Sequence, residues 1–180
     1  MKNLITSTLL LLSLTFAACS SNDDGIYVST SGEGSIIVNN DAPDYLYRMV
    51  LFSTDSEQEI YLLGNTAYVD GDANFAGRGA VLKFTIPNQE ESSTLQAQSF
   101  TIDNDSYAAT YSSYVNFSSS TGSEEYIVID SGTVIIRRSN QFYDIRLLGI
   151  DADENNVLAA YRGYIYRWFY TGEGEDLRSM

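Results

Sequence analysis

Apolar residues along this chain come in short runs, and within the clearest of them they alternate with polar ones. Tyr143, Ile145 and Leu147 are separated by Asp144 and Arg146, a period of two that predicts a strand with one buried face. Runs rich in Val, Ile, Tyr and Thr predict further strands at Ser35–Asn39, Tyr45–Ser53, Glu59–Gly64, Gly79–Ile86, Leu95–Ile102, Tyr126–Ile129, Thr133–Arg138, Gln141–Ile150 and Val157–Phe169. Gly, Asn and Asp punctuate these runs, and no long segment carries a helical period. Pro43 and Pro87 fall between the runs, where the missing N–H costs no ladder bond. The fold class is all-β, with short antiparallel strands. A closed barrel and a two-sheet sandwich both satisfy the pattern, because both bury alternate residues of short strands.

The last third is the most legible. From Gly132 to Phe169 it reads as three strands and two turns. Ser139–Asn140 makes a tight turn, in which Asn tolerates a left-handed conformation. Asp151 to Asn156 makes a longer, acidic one. Val157, Ala159 and Tyr161 continue the inward face, and Leu158, Ala160 and Arg162 alternate with them.

The N-terminus is of a different character. Lys2 is followed by a stretch from Leu4 to Ala18 that is almost free of polarity. It is shorter than the roughly 20 residues needed to span a bilayer and suits the apolar core of a signal peptide. It ends in Phe16-Ala17-Ala18-Cys19, and Cys19 is the only cysteine. This junction resembles a bacterial lipobox, and Ser20-Ser21-Asn22-Asp23-Asp24 after it resembles the acidic tether of Bacteroidetes lipoproteins. The resemblance implies cleavage before Cys19, acylation of its thiol and amino group, and residence at the outer membrane, on the cell surface. Each buried methylene contributes roughly 0.8 kcal/mol, so several chains on one cysteine anchor durably where one would not. The C-terminal third adds to the likeness: Gly132 before a Thr-Val-x-Ile strand, Tyr-x-Ile-x-Leu at Tyr143, Ile145 and Leu147, an acidic turn, and Tyr161, Gly163 and Ile165. Small Bacteroidetes lipoproteins with this style of sequence adopt calycin-like barrels, which implies a single antiparallel barrel here, the two-sheet sandwich being the alternative. A lipocalin proper has Gly-x-Trp near its first strand, whereas the single tryptophan here is Trp168. The expected organisation is therefore a signal at residues 1–18, the lipidated Cys19 and a flexible tether to residue 34, a β domain over 35–170, and a disordered tail over 171–180.

Charge narrows the partners. The 180 residues carry a formal charge of −14, and loss of Lys2 with the signal leaves −15. Such a surface repels phosphate backbones, so nucleic acid is not expected as a partner; the membrane is met through the anchor alone. Histidine is absent. That removes the commonest general base near neutral pH, the commonest metal ligand and every catalytic triad built on imidazole. No cofactor is implied, and among the many acids no diagnostic catalytic pair stands out; Glu124 and Glu125 are neighbours in an expected turn, and on adjacent strand positions they would point apart. The expectation is a protein that is not an enzyme.

Three constellations remain. Asp70-Gly71-Asp72-Ala73-Asn74 and Asp151-Ala152-Asp153-Glu154-Asn155 begin like calcium loops. In the first, however, Phe75 and Val81 stand where Gly and Glu would be needed, and in the second Arg162 holds the twelfth place. Both are read as acidic hairpin turns with no metal assigned, a looser calcium site being the alternative. Tyr107, Tyr111, Tyr114 and Phe117, spaced by four, three and three, fit one face of a short helix or, equally, a serine-rich decorated loop or irregular strand; an ordinary packing role is expected, an aromatic loop that contacts a ligand being the alternative. Tyr164, Tyr166, Trp168 and Tyr170 share one face of an ideal strand. Rings with polar tips suit surfaces that are partly apolar and partly wet, so these four are the candidate ligand-binding residues. Their expected partners are a glycan, a small apolar ligand or an envelope protein. The function expected is a non-catalytic binding module at the envelope; the alternative is a structural subunit of a surface or pilus-like complex that pairs through this aromatic strand.

Overall fold

The computed structural model describes residues 32–88, 94–117 and 126–170. Cys19, the signal and tether up to residue 31, the Glu124–Glu125 pair and the tail over 171–180 lie outside them. The described residues form eleven strands: β1 (Glu33–Val38), β2 (Asp44–Ser53), β3 (Glu57–Gly64), β4 (Tyr68–Val69), β5 (Phe75–Ala76), β6 (Arg78–Pro87), β7 (Gln98–Ile102), β8 (Ala108–Asn116), β9 (Ile127–Ser139), β10 (Phe142–Asp151) and β11 (Asn156–Tyr170).

Eight of them close a ring in the order β10-β11-β1-β2-β3-β6-β8-β9, with β9 pairing back onto β10. This is a single barrel, calycin-like in strand number, and not a two-sheet sandwich. Strands that alternate in direction close only in even numbers, and the ring is even wherever β1 takes part. β1 is short. Beyond its first residue β11 meets β2 directly and in parallel, Ile165–Tyr170 beside Met49–Ser53. β7 continues the edge of β9 beyond the point where β8 leaves it.

Alternation fills the interior. Ile36, Leu46, Met49, Leu51, Ile60, Leu82, Phe84, Ile86, Ile145 and Tyr161 keep no more than 2% of their accessible surface. A void large enough for water would leave accessible surface on the side chains lining it, so this interior is packed. Eight strands enclose a space that side chains can just fill. Leu95 joins this core from the segment before β7, and its carbonyl accepts a hydrogen bond from the Tyr143 hydroxyl at 3.3 Å.

A second cluster lies outside the barrel. Val50, Leu63, Val81, Val115 and Phe169 face outward, and the β4–β5 hairpin covers them with Val69 and Phe75. Phe52 stacks on Phe169 at 4.9 Å, and Phe75 lies 4.7 Å from Tyr61 and 5.1 Å from Phe117. One half of the outer wall thus has its own small core. The other half, formed by β9, β10, β11 and β1, carries no such cover among the described residues.

Four sequence expectations change here. From Ile127 on, the runs expected at Tyr126–Ile129 and Thr133–Arg138 belong to one strand, β9; Gly132 lies within it, and a Cβ there would meet the Leu148 carbonyl oxygen at 2.6 Å. The segment around Tyr111 is a strand and not a helix. Its aromatic spacing comes from a register shift against β6, between Gly79 and Val81: Ala109 and Tyr111 face the barrel core, and Val115 faces the outer cluster. The hairpin strands β4 and β5, two residues each, are too short for any periodicity to announce. Pro87 is the last residue of β6 rather than part of a loop.

The acidic turns owe their shape to their leading aspartates. Asp151 Oδ1 accepts the N–H groups of Asp153 and Asn155 at 3.0 and 2.9 Å, and Glu154 between them takes a left-handed φ of 63°. Asp70 repeats this with Asp72 and Asn74, with Ala73 at 62°. In both turns the carboxylate that would begin a calcium loop is engaged with its own backbone, and no group of three or more acidic side chains converges among the described residues.

Candidate functional site

The four aromatics expected on one face are divided by the structure. Pairing between β11 and β2 shifts register between Ile165 and Arg167. Ile165 and Trp168 both pack on the barrel core, one on each side of the irregularity. Tyr166 packs on the outer cluster, with the Arg48 and Arg167 guanidinium groups 5.8 and 5.5 Å from its ring centre. Trp168 donates its indole N–H to Ser53 Oγ at 3.3 Å. The Tyr170 hydroxyl donates to Asp55. Tyr164 remains on the outside, edge-on to Phe142 at 5.5 Å. A bulge inverts the facing of everything after it, so a set that is uniform at strand spacing is not uniform in space.

The uncovered half of the barrel carries a broad groove that sequence reasoning had not singled out. It has a volume of about 880 Å³. Its apolar part comes from facing outward positions on three strands: Leu148 on β10 is opposite Leu158 on β11, and Leu158 is opposite Ile37 on β1. Leu148 is 62% exposed, the most of any large aliphatic residue described. Ile150 continues the strip along β10 and is also exposed. One signal in the sequence could have found it: Leu148 and Ile150 occupy the parity that Asp144 and Arg146 had marked as polar.

A charged cluster closes one end of the groove. Arg146 donates from Nε and Nη2 to the two oxygens of Asp144 at 3.0 and 3.2 Å, and Arg162 donates to the same carboxylate at 3.2 and 3.1 Å. The hydrogen bond from Arg146, with that from Arg162 behind it, holds the Asp144 carboxyl below the usual carboxylate range despite partial burial. Two arginines share one carboxylate here, and Glu33, opposite Arg162 on β1, brings the four charges of the lining to balance.

A smaller cleft of about 260 Å³ lies further round the wall, where β2, β3, β6 and β8 approach one another. Tyr45 and Tyr47 stand on one side with ring centres 6.4 Å apart and planes inclined by 24°, and Tyr114 stands on the other. Tyr114 belongs to the aromatic set noted along the chain. The other three of that set are taken up by packing: Tyr107 stacks on Phe100 at 4.8 Å, Tyr111 is buried, and Phe117 meets Phe75.

The Tyr111 hydroxyl donates to Asp151 Oδ2 at 2.9 Å, deep at the turn between β10 and β11. Burial pushes the Asp151 carboxyl up, but the N–H and side-chain amide of Asn155 and the Tyr111 hydroxyl outweigh that and hold it below the ordinary carboxylate range. Burial pushes the Tyr111 hydroxyl well above its ordinary value, and the neighbouring carboxylate adds to this. Each group has found its partner, and the pair reads as structural.

No family model, curated protein or solved structure matches the chain. The surface itself therefore carries the functional reading.

Proposed function

We propose that this chain is a lipid-anchored, non-catalytic binding module of the bacterial outer membrane, held at the cell surface through Cys19 and meeting its ligand on the outside of the barrel. The observation that carries the reading is the bare apolar groove on a barrel whose interior is packed. Exposed Leu148 and Leu158 and the half-buried Ile37 lose water on contact with a partner, at roughly 25 cal/mol per Å², and contiguous exposed apolar surface of this kind marks interaction sites. The Asp144–Arg146–Arg162 cluster beside them, with Glu33 opposite Arg162, orients a polar, hydroxyl-bearing group. An apolar ligand with a polar head, or an envelope protein, fits that combination. The lipobox-like junction and the acidic tether support the anchor.

Two measurements test it. Membrane fractionation with surface labelling of intact cells is expected to recover the protein with membranes and labelled, and Cys19→Ser is expected to release it; wholly soluble recovery of the parent contradicts the anchor. A photo-reactive residue at position 148 is expected to capture a ligand on cells that the same residue at position 137 does not. Equal capture at both positions contradicts the groove.

A second reading has one observation in its favour. The last rung between β10 and β11 is Phe142 opposite Tyr164. Beyond it, Ile165–Phe169 pair with β2 among the described residues. An extended segment from a partner added to that edge would make the chain a subunit of a surface assembly.

A further inference from the structure

We infer that the cleft between Tyr45, Tyr47 and Tyr114 is a subsite for a neutral sugar ring. The inference rests on the binding reading above and gives it a ligand class at a second place on the wall, separate from the groove.

Gly79 is part of the lining between the rings, and Gly64 lies next to it in the backbone packing. A Cβ at Gly64 would lie 2.2 Å from the Tyr45 carbonyl oxygen, and one at Gly79, whose φ is +150°, would lie 2.3 Å from the Gly64 carbonyl oxygen. Only bare backbone fits where β3 and β6 pass between the tyrosines. Tyr45 is 58% and Tyr114 59% exposed, although neither ring's apolar face is well served by water. Three exposed rings around one hollow give a contiguous surface with apolar faces, of the kind that marks interaction sites.

The frame beneath them is braced. Arg48 Nη1 donates to the carbonyl oxygens of Asn65 and Ala67, both at 3.3 Å. Thr66 and Arg78 are tied by their backbones at 3.0 Å and through the Thr66 hydroxyl at 3.2 and 3.3 Å. Asn65 is held in a left-handed conformation at a φ of 52°. The loop that carries Asn65 into the cleft is thus positioned before any ligand arrives, which lowers the ordering cost of binding.

Size and polarity identify the ligand. At about 260 Å³ the space lies just under the ~300 Å³ where pockets for drug-sized molecules begin. It takes one or two small rings, or the end of a longer chain. The Asp44 carboxylate, the Asn65 amide and the Ser113 hydroxyl share the lining with the tyrosines. A pyranose offers what this set requires: a face of C–H groups to lie against an aromatic ring, and an edge of hydroxyls for carboxylate, amide and phenol. A nucleotide also stacks on tyrosine, but its phosphates would meet Asp44 and a body of net charge −14. A neutral saccharide meets no such repulsion.

Saturation-transfer NMR on the purified full chain tests this with five neutral hexasaccharides, built on β-linked glucose, α-linked glucose, xylose, mannose and N-acetylglucosamine. Transfer to ring C–H protons of at least one is expected. Affinity should fall about tenfold in Tyr45→Ala and in Tyr114→Ala, persist in the corresponding Phe variants, which keep the stacking face, and be unchanged in Leu148→Asp. Both tyrosines are surface residues, and circular dichroism checks that the alanine variants stay folded. Absence of transfer to every sugar, or transfer that survives both alanine changes, overturns the inference. Loss in Leu148→Asp instead also overturns it while leaving the groove, and the binding reading, in place.

Discussion

Asp151 does more for this structure than any other acidic side chain described. Its oxygens accept two backbone N–H groups, the Asn155 amide and the Tyr111 hydroxyl. Hydrogen bonds to a buried charge contribute about 1.5–3 kcal/mol each when measured by deletion, and they are not additive. Asp151→Ala should therefore cost ~3 kcal/mol in urea unfolding. The sign of its pH dependence comes from its depressed folded value. Its contribution is fully present above the unfolded carboxylate value of about 4 and is lost as pH falls through the lower folded value. Urea midpoints of the parent protein should drop below about pH 4, and Asp151→Asn should flatten that acid limb; an unchanged limb would mean the carboxylate is not held as described. Three residues away, Glu154 is exposed and carries a left-handed φ of 63°. Glu154→Gly should stabilise the hairpin by about 0.5–1 kcal/mol, because glycine occupies that region without strain; destabilisation by the same amount would contradict it.

Strands were legible from the sequence wherever alternation ran unbroken. Tyr143, Ile145 and Leu147 face the core with Val157, Ala159 and Tyr161, as their period predicts. The pattern stops being readable at bulges. The irregularities after Gly79 and after Ile165 each invert the facing of the residues beyond them, and a residue count gives no sign of where a strand slips. The aromatics of β8 and the end of β11 were misplaced for that reason. The β4–β5 hairpin was invisible for another: its strands are held by the side chains they cover and not by their own propensity. Phe75→Ala, which removes the ring touching Phe52, Tyr61 and Phe117, should cost about 2 kcal/mol, below the 3–5 of a fully buried Phe. Hydrogen exchange should rise at residues 66–77 and stay slow in β9, β10 and β11. Equal acceleration in both regions would show that the outer cluster and the barrel do not open separately.

At the scale of the whole molecule, the decisive feature is that the described inward side chains pack together into one buried core. The candidate contacts are consequently external and sit on two parts of one wall: an apolar groove ending in a two-arginine rim, and a cleft between tyrosines. Neither was legible in the sequence as a site, because each is assembled across strands distant in the chain. Glu33 starts β1 beside the groove, and Gly32 just before it donates its N–H to the Tyr47 carbonyl at 2.7 Å. The chain leading from Cys19 thus joins the barrel close to both surfaces. Methyl NMR under xenon pressure tests the filled interior most directly, since an apolar cavity takes up xenon readily. The inward methyls of Ile60, Leu82, Ile145 and Leu147 are expected to hold their shifts, with any response confined to Ile37, Leu148, Ile150 and Leu158. Xenon-induced shifts at the inward methyls would reveal a hollow calyx and would contradict the assignment of binding to the outer wall.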